Sequence, residues 1–108
     1  MSKVITSDNF EKEAKKMIKK YHSLASEIAN LIKTLSKNPV LGTPIGKDCY
    51  KIRLAIKSKG KGKSGGGRVI TCVVALQESV ILLSIYDKAE QDSITDKELE
   101  QLLKNNLL

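Results

Sequence analysis

The chain has little of what usually marks a site. Its 108 residues include one histidine (His22), two cysteines (Cys49 and Cys72), one phenylalanine, three tyrosines and no tryptophan. With one His and no CxxC pair, a zinc site is not expected. Cys72 sits in an apolar run and reads as a small buried hydrophobe. A disulfide is not expected in a reducing compartment. His22 falls between two helical patterns, far in sequence from the basic strands, and suits a turn better than a general base. No apolar run approaches the roughly 20 residues of a membrane span. Asp8, Glu11 and Glu13 follow the start too closely for a signal peptide. The expectation is a cytoplasmic protein with no membrane partner.

Acid is also missing, but only locally. The chain carries 19 Lys+Arg against 12 Asp+Glu, a formal charge of +7. Residues 49–77 contain no acid and seven bases: Lys51, Arg53, Lys57, Lys59, Lys61, Lys63 and Arg68. Outside that stretch the charges balance. A localised excess of this kind fits a polyanionic partner, nucleic acid first, or a solvated basic loop. A content of 41% hydrophobic and 29% charged residues is globular rather than disordered. The length suits one domain, residues 1–108.

Residues 4–6 are β-prone, and Ser7 or Asp8 can cap a helix beginning there. Phe10, Ala14, Met17, Ile18 and Tyr21 recur at helical spacing among lysines. Leu24, Ile28, Leu31, Ile32 and Leu35 repeat the pattern up to Pro39. The short link between these two helices makes an antiparallel hairpin. Residues 39–47, with Gly42, Pro44 and Gly46, read as a loop. Residues 50–57 alternate, with Ile52, Leu54 and Ile56 inward and Lys51, Arg53 and Lys57 outward. Residues 58–67, SKGKGKSGGG, lack an apolar anchor and should be mobile. Residues 68–75 and 80–86 are buried strands joined by a turn at Gln77-Glu78. Thr95-Asp96-Lys97-Glu98 is a capping box opening a helix with Leu99, Leu102 and Leu103 on one face.

The expected fold is therefore α+β, in the order strand-helix-helix-strand-strand-strand-helix. A small, mostly antiparallel sheet carries the helical hairpin on one face and polar side chains on the other. Alternation places Ile81, Leu83 and Ile85 in the core. Lys51, Arg53, Tyr86 and Lys88 then share the open face, joined by Arg68 if its side chain points the same way. Guanidinium forks bind phosphate, and tyrosine can stack on a base. The same alternation also fits a solvated strand. Glu90 and Asp92 read as loop and cap residues, so phosphodiester chemistry would rest on basic groups. A lysine could act as base only if nearby cations lowered its pKa from about 10.4.

The runs YKIRLAIKSKGKGKSGGGRVI and VILLSIYDKAEQDSIT, with the closing leucine-rich helix, resemble the RelE/ParE superfamily of type II toxin–antitoxin toxins, closest to RelE- or HigB-like members. The FEKEAKKMIKKYHSL and LIKTLSKNPVLGTPIG segments agree. The resemblance spans nearly the whole chain. It implies a cognate antitoxin, and a ribosome-dependent endoribonuclease that cuts messenger RNA without a metal or other cofactor, leaving a 2′,3′-cyclic phosphate. It further implies Arg53 and Arg68 as phosphate and transition-state binders, and Tyr86 as a nucleotide-orienting residue. Lys88 or Lys57 would transfer protons, Lys51 is a weaker candidate on the same strand, and Lys59, Lys61 and Lys63 would contact RNA or help anchor an antitoxin. No histidine stands at the late-strand position that some relatives use. Two alternatives stay open: a ParE-like inhibitor of DNA gyrase, and a non-catalytic module binding nucleic acid or an acidic peptide.

Overall fold

The apolar periodicities become elements close to where the sequence puts them. The structure is a computed structural model and describes residues 2–107. Its elements are β1 (Lys3–Thr6), α1 (Asp8–Lys20), α2 (Leu24–Lys37), β2 (Thr43–Gly46), β3 (Cys49–Leu54), α3 (Gly62–Gly65), β4 (Gly67–Val74), β5 (Ser79–Asp87) and α4 (Asp96–Leu107). The strands form one sheet in the order β1-β5-β4-β3-β2. β3, β4 and β5 are the expected antiparallel meander, and β1 adds to β5 in parallel.

Ser7 starts α1 by accepting from the Phe10 amide at 3.0 Å, while its own hydroxyl donates to the Leu83 carbonyl at 3.2 Å. One residue thus caps the helix and pins it to β5. Phe10, Ala14, Met17 and Tyr21 of this helix and its cap join Leu24, Ile28, Leu31 and Leu35 of α2. Together they cover Ile52, Val69, Val80, Leu82 and Ile85 of the sheet and Ile56 just past β3. Burying each large aliphatic contributes about 1.5–3 kcal/mol, so this layer dominates the fold's stability. Ile18 departs from the stripe, with 36% of its surface exposed.

Four expectations need correction. First, residues 39–47 are not all loop. Thr43–Gly46 pairs antiparallel with β3 as an edge strand, and Lys47 and Asp48, both at positive φ, make the two-residue hairpin turn. Pro44 is tolerated there because an edge strand needs only half its amides. Second, the sheet's other face is not open. Leu99, Leu102 and Leu103 of α4 pack with Ile70, Cys72, Ile81, Leu83 and Tyr86 in a second core. Third, Ile81 and Leu83 face this second core while Ile85 faces the hairpin. β5 carries a bulge: Ile70 pairs with Ser84 but Thr71 with Leu82, leaving Leu83 as the extra residue that flips the alternation. Fourth, residues 58–67 are anchored. They hold a 3-10 turn and the single turn α3, tied down by polar contacts rather than apolar ones.

Past the end of β1, the free edge of β5 is closed by side chains of α1. Asn9 donates to the Leu83 carbonyl at 2.9 Å, and Glu13 accepts from Ser84 at 2.7 Å and from the Ile85 amide at 3.3 Å. An edge that could template another strand is thereby blunted. Among the described residues no helix is long and apolar enough to cross a membrane.

Candidate nucleic-acid interface

Strand register brings the two arginines together. Arg53 lies directly opposite Arg68, and Arg68 directly opposite Tyr86, so one cross-strand row runs Arg53–Arg68–Tyr86. Like charges directly opposed on a sheet repel. Two arginines opposed in this way raise the local positive potential, which favours an anion at the exposed one. Arg53 is exposed, and with Lys51 and Lys63 it lines a hollow of about 390 Å³ walled by Leu41, Gly42, Thr43 and Ile52. Among the described residues no carboxylate lines this hollow.

The hollow depends on Gly42. Its φ is +95°, and a Cβ there would press into the Lys51 carbonyl and lie 2.9 Å from Ile52 Cγ1. Only glycine lets this loop run so close to β3.

Arg68 is less open than Arg53, with 4% of its surface exposed. Its guanidinium donates to the Lys63 carbonyl at 2.9 Å, the Gly67 carbonyl at 3.0 Å and the Ser64 carbonyl at 3.3 Å. It therefore gathers the carbonyls of the lysine-glycine segment beneath the basic surface. Lys61 and Lys63 remain exposed on that segment.

Tyr86 is 5% exposed and belongs to the core under α4. Its hydroxyl has no hydrogen-bond partner among the described residues. Burial raises its pKa; the nearby Arg68 charge opposes this and Glu98 reinforces it. Lys88 stands one step further along. Its ammonium is ion-paired with Asp92, and its amide donates to the Gly66 carbonyl at 3.1 Å. Lys57 is exposed, but it lies past the end of β3 in a 3-10 turn rather than on the strand's outer face, and its amide donates to Glu27 of α2 at 2.7 Å.

Lys59 is turned away from this surface. With 8% of its side chain exposed, it reaches through to the hairpin face and pairs with Asp87, whose side chain is 1% exposed. The same carboxylate accepts from the Tyr21 hydroxyl and from the Ala89 amide at 2.9 Å. Burial alone would push the Asp87 carboxyl up. The hydrogen bonds from Lys59, Tyr21 and the Ala89 amide outweigh it and hold the group at about 2. Ser58 adds a second tether, with its hydroxyl 2.8 Å from that of Ser23 and its amide donating to Ser23 at 2.9 Å.

The structure thus assembles Lys51, Arg53 and Lys63 on one accessible surface, with Arg68 directly beneath. Tyr86 shares the row but lies under α4, Lys88 is paired locally, and Lys59 acts as an anchor. Sequence reasoning missed Asp87 and Tyr21, which set the position of the basic segment. The one available signal was an acid immediately following a fully apolar strand.

Comparison with known proteins agrees with this architecture. A family profile described as the RelE toxin of the RelE / RelB toxin-antitoxin system matches residues 2–106. The free E. coli toxin RelE, in a mutant form, is similar at a TM-score of 0.63 and 15% identity, covering 96% of each chain. The intact E. coli RelBE toxin-antitoxin complex gives 0.62 and 18%, covering 81% of this chain and 96% of that one. A metal-bound toxin from Helicobacter pylori gives 0.53 and 14%, covering 83% and 98%.

Proposed function

Since the chain belongs to the RelE toxin family, we propose that it is the toxin of a toxin–antitoxin pair and cuts messenger RNA on the ribosome, in the cytoplasm. The observation that carries this reading is the cross-strand row Arg53–Arg68–Tyr86 beside a hollow lined by cations and, among the described residues, by no carboxylate. Such a surface holds the pentavalent phosphorus of an in-line displacement. The message's 2′-oxygen attacks the adjacent phosphorus, and its proton passes to a basic side chain. The bond from phosphorus to the 5′-oxygen breaks, that oxygen takes up a proton, and a 2′,3′-cyclic phosphate remains. Arg53 binds the phosphate directly and Arg68 stabilises the developing charge from beneath. Lys57 is the accessible candidate for proton transfer; Lys88 serves only once released from Asp92. Tyr86 orients a nucleotide when α4 moves aside, at which point its unpartnered hydroxyl gains a hydrogen bond.

Lys51, Lys61 and Lys63 add phosphate or ribosomal RNA contacts, so binding should weaken steeply with salt. The partner that silences the toxin is an antitoxin segment, acidic enough to match this surface. The test is induced expression followed by mapping of message ends. Growth should stop, with messages cut within translated codons. DNA damage with intact messages would instead support gyrase inhibition, and undisturbed growth would support a non-catalytic binding module.

A further inference from the structure

Cys49 opens β3, Cys72 lies in β4, and the two are direct cross-strand partners. Directly opposed side chains of an antiparallel pair leave the same face of the sheet. Both thiols are free and buried in the second core, the layer that α4 closes through Leu99. The neighbouring rung fixes the kind of pair they form. The Val73 amide donates to the Asp48 carbonyl at 2.9 Å. Asp48 and Val73 are therefore a hydrogen-bonded pair and Cys49–Cys72 a non-hydrogen-bonded one, in which Cα atoms stand about 4.5 Å apart. A disulfide bridges Cα separations of about 4.4–6.8 Å without backbone movement.

The two sulfurs differ in character. The Cys49 thiol donates to the Lys47 carbonyl at 3.4 Å; its neighbour Cys72 and then burial push the Cys49 thiol up, and the same contact with Cys49 lowers Cys72. With its proton engaged by that carbonyl, Cys49 is the poorer nucleophile and Cys72 the better one. Access is governed by α4, which is held on this face by Leu99, Leu102 and Leu103 and by the Lys47–Glu100 ion pair at 3.5 Å. Exposed ion pairs of this kind contribute little. Local undocking of a helix held by so few contacts is a low-energy opening that uncovers both thiols together.

We propose that Cys49 and Cys72 form a thiol–disulfide exchange site that takes low-molecular-weight disulfides and closes a covalent bond between β3 and β4. The Cys72 thiolate attacks one sulfur of the small disulfide, whose S–S bond breaks, and a thiolate leaves and is protonated. The Cys49 thiol then gives up its proton to solvent and attacks the Cys72 sulfur, expelling the second small thiol. Two protein thiols are oxidised while one small disulfide is reduced to two thiols. The bond forms on the strand pair that carries Arg53 and Arg68, roughly 13 Å away along it.

The test uses the folded protein and oxidised glutathione. After incubation, remaining thiols are alkylated and the products are mapped by peptide mass. The expected product has lost two hydrogens, takes up no alkylating agent and yields one peptide pair joined through Cys49 and Cys72. Cys49→Ser should stop at a glutathione adduct on Cys72, and Cys72→Ser should react at least ten-fold more slowly than wild type. Leu99→Ala, which loosens α4, should speed closure several-fold. Three results overturn the proposal: adducts on both cysteines without the bond, a bond between two chains, or thiols that react only after denaturant is added. None of these readouts depends on RNA cleavage, so they are separable from the proposed activity.

Discussion

Replacing Asp87 with asparagine tests how the basic segment is held. The carboxylate is buried, and Lys59, Tyr21 and the Ala89 amide converge on it. The Asp87→Asn substitution would keep the shape and one acceptor oxygen but remove the charge facing a nearly buried ammonium. The magnitude comes from linkage. The folded carboxyl titrates at about 2, whereas an unfolded aspartate titrates near 3.9. A pKa depressed on folding contributes stability that is fully present above the unfolded value and lost as pH falls through the folded one. Neutralising this group therefore costs about 2.5 kcal/mol at pH 7. Stranding the partner ammonium would set an upper bound of about 3–5 kcal/mol, if Lys59 could not swing out to water. For a domain of this size 1 kcal/mol moves Tm by about 4 °C, so a fall near 10 °C is expected. Wild-type stability should also decline between about pH 4 and pH 2, with an excess over D87N that vanishes at the acid end. Thermal unfolding across that pH range measures both. A Tm change under about 2 °C, with superimposable acid profiles, would refute the buried pair and the anchored segment with it. Lys59→Met combined with D87N should recover part of the loss, because the stranded charge is gone.

Other perturbations probe the remaining elements. Thr95→Ala removes the reciprocal cap in which the Thr95 amide donates to Glu98 at 3.0 Å and the Glu98 amide donates back to Thr95 at 3.1 Å. It should cost about 1 kcal/mol and speed amide exchange selectively in α4. Gly42→Ala forces a Cβ against the Lys51 carbonyl at a positive φ, and should cost about 2 kcal/mol or more by chemical denaturation while disordering the hollow. Tyr86→Phe removes a buried hydroxyl that lacks a partner among the described residues. It should leave stability unchanged or raise it by about 1 kcal/mol while lowering cleavage; a clear loss of stability would show that the hydroxyl is satisfied in the folded state.

Much of this molecule was legible because its signals are local. The stripes through Phe10, Ala14 and Met17 and through Leu24, Ile28, Leu31 and Leu35 have one helical reading, and the Thr95–Glu98 box is self-contained. Strand β3 alternates cleanly, so the outward direction of Lys51 and Arg53 could be read. Strand β5 could not be read the same way. VILLSIY is apolar on both faces, and a bulge at Leu83 leaves no mark in such a run. Strand β2 was hidden because Thr43-Pro44-Ile45-Gly46 has turn-like composition and becomes a strand only by pairing with β3. The leucine stripe of α4 was visible, but not that it would cover Tyr86. Nothing local links Lys59 to an acid 28 residues away, so the anchoring of a glycine-lysine segment emerges only in three dimensions. For the candidate site, alternation indicated the outward direction of Arg53 and charge singled out Arg68 with its direction left open, whereas the burial of Arg68 and Tyr86 depends on α3 and α4 closing over them.

Cleavage of a defined message by the purified protein, with and without programmed ribosomes, bears most directly on the proposed activity when the fragment ends are identified. Ribosome-dependent cuts ending in a 2′,3′-cyclic phosphate are expected. Arg53→Ala should lower the rate at least 100-fold in a protein that remains folded, corresponding to about 3 kcal/mol of lost transition-state stabilisation. Intact messages, or cuts that Arg53→Ala leaves unchanged, would contradict a cleavage site built on the arginine row.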